Sequence, residues 1–291
     1  MSRFRRLLPR RRGNPLERLA KHELEVDGIA IRAHELWDLE PGQAVQPDLP
    51  TFVLLHGLGV SSRYFVPLAE ELYEHGRVVL FDLPGFAGLP QPERPLEIAD
   101  YARVVRGALE SLQVPGAPVL IGHSMGTQVV VEMLASDPDY AEYAVLLAPV
   151  LNPDERALWQ VAWRFVQSAL WENPLNTAVG MTAYLRCPAG WFAETVPRVL
   201  AYPMLRRLAG VRTTLMVVGG RRDYLSTRMW QESLIAELTG AEVVTLPRAA
   251  HAMVVDHADA LAGEVLRLVG LAEGEPGAGD SDDRPDPKER T

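Results

Sequence analysis

Short apolar runs and amphipathic stretches alternate along most of this chain. Eight apolar runs have the length and composition of strands, at residues 24–26, 29–37, 52–55, 78–81, 119–121, 143–147, 215–218 and 243–246. From the third run onward, stretches with helical periodicity separate the strands, at 67–74, 96–112, 125–135, 227–238 and 255–269. Continuous apolar strands that alternate with helices are typical of a parallel sheet covered on both faces. The pattern therefore predicts an α/β fold with a doubly wound, mostly parallel, eight-stranded sheet.

The first two strands depart from this arrangement. Only Asp27-Gly28 separates them, and this dipeptide is a strong signal for a two-residue hairpin turn. We therefore expect these two strands to pair antiparallel at one edge of the sheet.

Residues 151–208 also break the alternation, because they lie between two core strands and contain no strand pattern. The segment reads as helical and holds Trp159, Trp163, Trp171 and Trp191, four of the six tryptophans.

The N-terminal end of the chain is arginine-rich and the C-terminal end is acidic, and both have the composition of disordered tails. We expect a basic tail at 1–21, a core formed by 22–150 and 209–270, a helical insertion at 151–208 and an acidic tail at 271–291.

The most specific motif is Gly122-His123-Ser124-Met125-Gly126, which joins the apolar run 119–121 to a helical stretch. A serine on a sharp strand-to-helix turn exposes its hydroxyl above the sheet, and the tight packing of such a turn requires glycine on both sides. The motif predicts that Ser124 is a nucleophile.

A serine nucleophile needs a histidine as general base and a carboxylate that orients the histidine. His251 follows the last strand, so it is expected at the same edge of the sheet as Ser124; His257, one turn into the next helix, is the weaker alternative. Asp223 follows the strand 215–218 and precedes His251 in the chain order expected for this arrangement, with Asp154 as its rival.

The developing negative charge on a carbonyl oxygen requires backbone N–H donors, an oxyanion hole. The amide of Met125 begins a helix, where N–H groups are unpaired and the helix dipole is favourable. The second donor is expected in the loop His56-Gly57-Leu58-Gly59, after the strand 52–55, with the amide of Leu58 as the natural candidate.

These motifs occur in the order found in one known family. From about residue 22 to 270 the chain resembles α/β-hydrolase-fold serine hydrolases of the capped, esterase-like branch, through His56-Gly57-Leu58-Gly59, Asp82-Leu83-Pro84-Gly85-Phe86, the serine motif, Asp223 and His251. Family members often continue the Asp-x-x-Gly turn as Gly-x-Gly-x-Ser, whereas this chain has Gly85-Phe86-Ala87-Gly88-Leu89-Pro90. In this resemblance the segment 151–208 is a helical cap over the serine.

The resemblance implies that an ester or related acyl bond is cleaved through an acyl-serine intermediate, and the aromatic residues of the cap segment indicate a small hydrophobic substrate. The alternatives are a carbon–carbon bond hydrolase with the same triad and a non-hydrolytic ligand-binding or signalling protein on the same fold. The candidate substrate contacts are His56, Gly57, His123, Trp159, Trp163 and Trp191.

The composition of the chain indicates which classes of binding partner and cofactor to expect. A net charge of −9 argues against nucleic acid as the main partner, and no apolar run is long enough to span a membrane. Cys187 is the single cysteine, so we expect a reducing, cytoplasmic location. Neither metal-ligand spacing nor a phosphate-binding glycine loop is present, so no metal or cofactor is expected. A further hypothesis is that the arginines near the N-terminus bind weakly to an anionic surface.

Overall fold

The computed structural model describes residues 19–36, 49–114, 116–150, 158–171 and 187–271. Its strands are β1 (Ala20–Val26), β2 (Ile29–Leu36), β3 (Thr51–Leu55), β4 (Arg77–Asp82), β5 (Val119–His123), β6 (Tyr143–Leu147), β7 (Thr214–Gly220) and β8 (Glu242–Leu246). Its helices are α1 (Val66–Leu72), α2 (Ile98–Ser111), α3 (Met125–Ser136), α4 (Leu158–Ala169), α5 (Ala189–Ala201), α6 (Met204–Leu208), α7 (Arg228–Ile235), α8 (Met253–Asp256) and α9 (Ala258–Leu268).

The eight strands form one sheet in the order β1-β2-β4-β3-β5-β6-β7-β8. β1 pairs antiparallel with β2, and β2 pairs antiparallel with β4, whereas every pair from β4 to β8 is parallel. The predicted doubly wound, mostly parallel α/β sheet is therefore confirmed. The hairpin residues Asp27 and Gly28 have φ values of 50° and 78°, as a primed two-residue turn requires.

Helices cover both faces of the sheet, because successive residues of each buried strand point to opposite sides. In β3, Val53 and Leu55 join the apolar cluster that contains α2, α3 and α7. Phe52 and Leu54 join the cluster on the other face, which contains α1, α8 and α9. The two layers leave the carboxyl edge of the parallel strands free for the loops that carry chemistry.

The described residues of the segment between β6 and β7 contain no strand, and they include the helices α4, α5 and α6. Its second half is fixed to α3 by buried polar contacts. The Glu132 carboxylate accepts hydrogen bonds from the Tyr202 hydroxyl at 2.9 Å and from the Arg207 guanidinium at 2.6 and 2.8 Å. Polar groups paired in this way hold the insertion against the core at a fixed position.

Two details differ from the sequence expectations. The predicted helix 255–269 is divided at His257, which lies between α8 and α9 with φ −126° and ψ 33°, so His257 is not one turn inside a helix. β1 begins at Ala20, inside the predicted basic tail. Residues 1–18 of that tail lie outside the described residues. The predicted tail after Leu271 also lies outside them, and so does Asp154.

Candidate active site

Ser124 sits between β5 and α3 in strained backbone geometry, with φ 54° and ψ −119°. The two flanking glycines make this turn possible. A Cβ on Gly122 would lie 2.4 Å from the Gly126 carbonyl oxygen, and a Cβ on Gly126 would lie 2.1 Å from the Leu55 carbonyl oxygen. No side chain fits at either position, so the turn holds Ser124 in this strained conformation at the sheet edge.

His251 lies between Ser124 and Asp223. Its Nε2 is 3.2 Å from Ser124 Oγ, and its Nδ1 is 2.9 Å from Asp223 Oδ2. A carboxylate only accepts, so Nδ1–H donates to Asp223 and leaves Nε2 as an acceptor for the serine hydroxyl. The arrangement can remove the Ser124 proton and stabilise the resulting imidazolium.

Asp223 is buried and remains ionised because the loop around it supplies donors. Burial opposes its ionisation, but the charge and hydrogen bond of His251 and two backbone amides hold the pKa of this carboxyl below its ordinary value. Those amides belong to Leu225 and Ser226, which donate to Oδ1 at 2.9 and 3.1 Å. The carboxylate is thereby kept charged and aimed at His251.

The loop after β3 lies directly beside the nucleophile. A Cβ on Gly57 would be 3.0 Å from the Cβ of Ser124. His56 braces this loop, because its Nδ1–H donates to the Gly57 carbonyl at 2.7 Å and its Nε2 accepts the Leu83 amide at 2.9 Å. Burial lowers the pKa of His56, which favours this neutral form. The amides of Leu58 and Met125, the predicted oxyanion donors, lie on the two segments that meet here.

His123, the residue before the nucleophile, does not share the accessibility of Ser124. It is 5% exposed; its Nε2 is 2.8 Å from the His251 carbonyl oxygen, and its Nδ1 is 2.8 Å from the Tyr64 hydroxyl. Burial, together with the nearby His251, lowers the pKa of His123 to about 3. His56 and His123 therefore use both ring nitrogens within the protein.

The three tryptophans proposed as substrate contacts occupy different environments. Trp191 on α5 is 2% exposed, and its indole lies against Gly85, where a Cβ would be 2.2 Å from Nε1. Trp159 and Trp163 on α4 are 71% and 59% exposed. Trp191 thus joins the insertion to the loop after β4, while Trp159 and Trp163 as substrate contacts stay predictions.

Sequence reasoning missed two residues that the structure places around the triad. One is Tyr64, described above. The other is Ser168 near the end of α4, whose Oγ accepts the Tyr224 amide at 2.9 Å and lies 3.4 Å from Asp223 Oδ1. The spacing of Ser168 could have identified it, because Val161, Phe165 and Ser168 recur at intervals that place them on one side of α4, the inward-facing side.

Among the described residues, no cluster of three or more histidine, cysteine or acidic side chains has the arrangement of a metal site. Within the same residues, every helix is too short or too polar to cross a membrane. The predicted cytoplasmic location and the surface contact of the arginine-rich segment stay predictions.

Comparison with known proteins identifies the family of the chain. Residues 52–264 match the family model described as "Alpha/beta hydrolase family". The pimeloyl-[acyl-carrier protein] methyl ester esterase of Pectobacterium atrosepticum is 27% identical over 240 residues, which are 74% of this chain and 92% of that protein. The protein of the same name from Pseudoalteromonas atlantica is 35% identical over 100 residues, 34% of this chain and 37% of that protein.

A solved structure shares the fold at lower sequence identity. The enol-lactonase from Burkholderia xenovorans LB400 superimposes with a TM-score of 0.72 at 21% identity, over 86% of this chain and all of that one (100%). At this identity the likeness concerns the fold.

Proposed function

This chain belongs to the alpha/beta hydrolase family, and we propose that it is a serine hydrolase that cleaves an ester or related acyl bond of a small hydrophobic substrate. One observation carries the proposal: the two ring nitrogens of His251 face Ser124 Oγ and Asp223 Oδ2 at 3.2 and 2.9 Å. A histidine so placed activates a serine hydroxyl that is otherwise a weak nucleophile.

In the first half of the proposed reaction, Ser124 Oγ attacks the substrate carbonyl carbon. The serine proton passes to His251 Nε2 as the new C–O bond forms, and the charged imidazole is stabilised by Asp223. The negative charge moves to the carbonyl oxygen, where the amides of Leu58 and Met125 are the proposed donors. When the intermediate collapses, the alcohol leaves with the proton from His251, and an acyl-serine remains.

In the second half, water replaces the alcohol. His251 takes a proton from the water as its oxygen bonds to the acyl carbon, and it returns that proton to Ser124 Oγ when the acyl–serine bond breaks. The products are one carboxylic acid and one alcohol for each ester and water consumed, and the triad regains its starting protonation.

The relatives support ester hydrolysis as the reaction class. Two of them are named as methyl ester esterases of a pimeloyl group on an acyl carrier protein. The proposal takes the bond type from them, whereas the hydrophobic character of the substrate is inferred from the aromatic residues of the insertion.

The experiment that tests the function is release of p-nitrophenol from p-nitrophenyl esters of increasing acyl length, with Ser124→Ala measured beside the wild type. We expect turnover by the wild type, an optimum at one acyl length and loss of turnover in Ser124→Ala. A folded wild type that hydrolyses none of these esters and does not react covalently with a fluorophosphonate would contradict the proposal and favour a ligand-binding protein on the same fold.

A further inference from the structure

Resting on the proposed function, we propose that Tyr64 and His123 are positioning residues for the general base. Together they form a hydrogen-bonded connection, which we call the Tyr64–His123 relay, from the loop beside Ser124 to the backbone of His251. In the relay, His123 holds the His251 carbonyl by its Nε2–H donor, and the Tyr64 hydroxyl holds the opposite ring nitrogen, Nδ1.

The direction of each hydrogen bond in the relay follows from its partners. The His251 carbonyl only accepts, so His123 Nε2, 2.8 Å away, carries the proton. In the neutral ring Nδ1 is then an acceptor, and the Tyr64 hydroxyl at 2.8 Å donates to it. The Tyr64 oxygen in turn accepts the Gly57 amide at 3.1 Å. Every donor in the relay therefore faces an acceptor.

The surroundings of His123 keep its ring neutral. The side chain is buried, and its ring centroid lies 5.1 Å from that of His251 at an angle of 50°. Aromatic neighbours enclose the other side, with Tyr64 and Phe65 at 5.4 and 6.5 Å between centroids. During the proposed reaction His251 becomes an imidazolium, so a charged neighbour at this distance would oppose the step. A neutral donor holds the backbone without that penalty.

The relay holds the carbonyl oxygen of His251, and this contact influences the orientation of the His251 ring toward Ser124. The His251 ring is joined to Asp223 at one nitrogen, and a hydrogen bond to its backbone carbonyl restricts the loop that carries the ring. The other end of the relay fixes the amide of Gly57, which directly precedes the proposed oxyanion donor Leu58. One hydroxyl group therefore couples the base loop to the oxyanion loop.

Loss of the Tyr64 hydroxyl has a specific consequence under this proposal. Without a donor at Nδ1, the His123 proton stays on Nε2, where the His251 carbonyl accepts it, but the Nδ1 lone pair is left without a hydrogen bond, so the ring is no longer held from the Tyr64 side. A glutamine at position 123 supplies an amide N–H₂ donor near the Nε2 position and has no acceptor at the Nδ1 position, so its hold on the His251 carbonyl does not depend on Tyr64. A leucine at position 123 supplies no donor at all.

The test compares Tyr64→Phe, His123→Gln, His123→Leu and the double variant Tyr64→Phe/His123→Gln with the wild type. Tyr143→Phe, at the opposite end of the sheet from the site, is the matched control. The first readout is the second-order rate constant for reaction with a fluorophosphonate, in which Ser124 Oγ bonds to phosphorus, the serine proton passes to His251 and fluoride leaves. The second readout is the protonated ring nitrogen of His123, from spectra of ¹⁵N-histidine-labelled protein, assigned by its absence in His123→Gln.

We expect Tyr64→Phe to lower the rate constant about tenfold and His123→Leu to lower it further, while His123→Gln stays within about threefold of the wild type. In the His123→Gln background the logarithm of the rate loss caused by Tyr64→Phe should be less than half that in the wild-type background, because glutamine offers the Tyr64 hydroxyl no ring nitrogen to hold. An equal cost in both backgrounds would overturn the relay and leave Tyr64 as a packing residue.

The spectra separate failure of the relay from failure of the proposed function. The relay requires that His123 carries its proton on Nε2 and that its Nδ1 accepts a hydrogen bond in the wild type, and that the hydrogen bond to Nδ1 is absent in Tyr64→Phe, whatever the protein hydrolyses. A wild-type His123 protonated at Nδ1 would overturn the relay even if ester turnover is high. A wild type inert to esters and fluorophosphonate but with the expected tautomers would remove the hydrolase proposal and retain the relay.

Discussion

Gly57 and Ser124 approach so closely that a methyl group on Gly57 would lie 3.0 Å from Ser124 Cβ and 3.4 Å from Ser124 Oγ. The loop after β3 therefore has no side chain between its backbone and the proposed nucleophile. Gly57 is followed directly by Leu58, whose amide is the proposed oxyanion donor, so the proposal depends on this close approach.

We expect Gly57→Ala to lower kcat/KM for the best p-nitrophenyl ester by about 10- to 100-fold. The added methyl must push either the loop or Ser124 by a few tenths of an ångström, and small misplacements of reacting groups are costly in rate. The free energy of unfolding should fall by about 1–3 kcal/mol, as for other overpacked sites. Steady-state kinetics and urea denaturation measure both effects.

Gly263→Ala is the matched control for this glycine. Gly263 lies within α9, and a Cβ there would meet no atom within 4 Å. Alanine is the better helix former, so this variant should gain about 0.5–1 kcal/mol and keep wild-type turnover. Wild-type turnover in Gly57→Ala would show that the loop after β3 takes no part in the reaction.

Asp223→Asn should lower turnover by about 10⁴-fold while the protein remains folded. An amide in place of the carboxylate can offer N–H to His251 Nδ1, which favours the wrong tautomer and removes the charge that stabilises the imidazolium. Kinetics and a thermal unfolding curve test this together. If Asp154→Asn abolished turnover and Asp223→Asn did not, the orienting acid would be misassigned.

Local patterns were sufficient to predict the sheet and the residues around Ser124. Continuous apolar strands, the Asp27-Gly28 turn and the glycines around Ser124 each depend on a few neighbouring residues, and the structure places all of them as expected. Ser124, Asp223 and His251 could be proposed because each follows a strand at the same sheet edge. In the structure His251 lies within hydrogen-bonding distance of both Ser124 and Asp223.

Contacts between distant segments could not be predicted in the same way. Trp159 and Trp163 were predicted as substrate contacts from the aromatic character of the insertion, but both side chains are exposed on α4, whose inner face carries the buried Ser168. Tyr64 reads as one more aromatic residue ahead of α1. Its role depends on His123, far away in the sequence, and only the folded backbone brings the two together.

Ala87→Gly is expected to raise the free energy of unfolding by about 0.5–1 kcal/mol. Ala87 has φ 53°, a left-handed conformation that costs an L-residue about 1–2 kcal/mol, partly offset by the greater unfolded freedom of glycine. The Arg32 guanidinium, which donates to the Ala87 carbonyl at 3.1 Å, helps to hold this turn. Ala102→Gly within α2 should have the opposite sign, and a loss of stability in both variants would contradict the argument.

His123 should make the folded protein sensitive to mild acid. Its pKa is about 3 in the folded state, below the ordinary value of 6.5, because burial disfavours the charged ring. As the pH falls below about 6.5 the unfolded chain binds a proton that the folded one does not, so stability falls by up to about 1.4 kcal/mol per pH unit.

Urea denaturation of the wild type and His123→Gln from pH 7 to pH 5 measures this contribution. His56, whose pKa is also lowered by burial, retains the same dependence in both proteins. Acidic side chains with lowered pKa values, such as Asp82 and Asp223, contribute mainly below this range. The wild-type curve should therefore be steeper than that of His123→Gln, and parallel curves would show that folding does not lower the pKa of His123.

Ser168→Ala tests whether the helical insertion contributes to the placement of the acid. The hydroxyl accepts the Tyr224 amide at 2.9 Å and reaches Asp223 Oδ1 at 3.4 Å, so its loss leaves a buried N–H unpaired next to the carboxylate. We expect turnover to fall about three- to tenfold, and the free energy of unfolding by about 1–3 kcal/mol. Ser233→Ala, which removes a hydroxyl bonded within α7 at 2.7 Å, should leave turnover unchanged. If Ser168→Ala lost stability but kept wild-type kcat, its contact with the Asp223 loop would only fasten the insertion to the core.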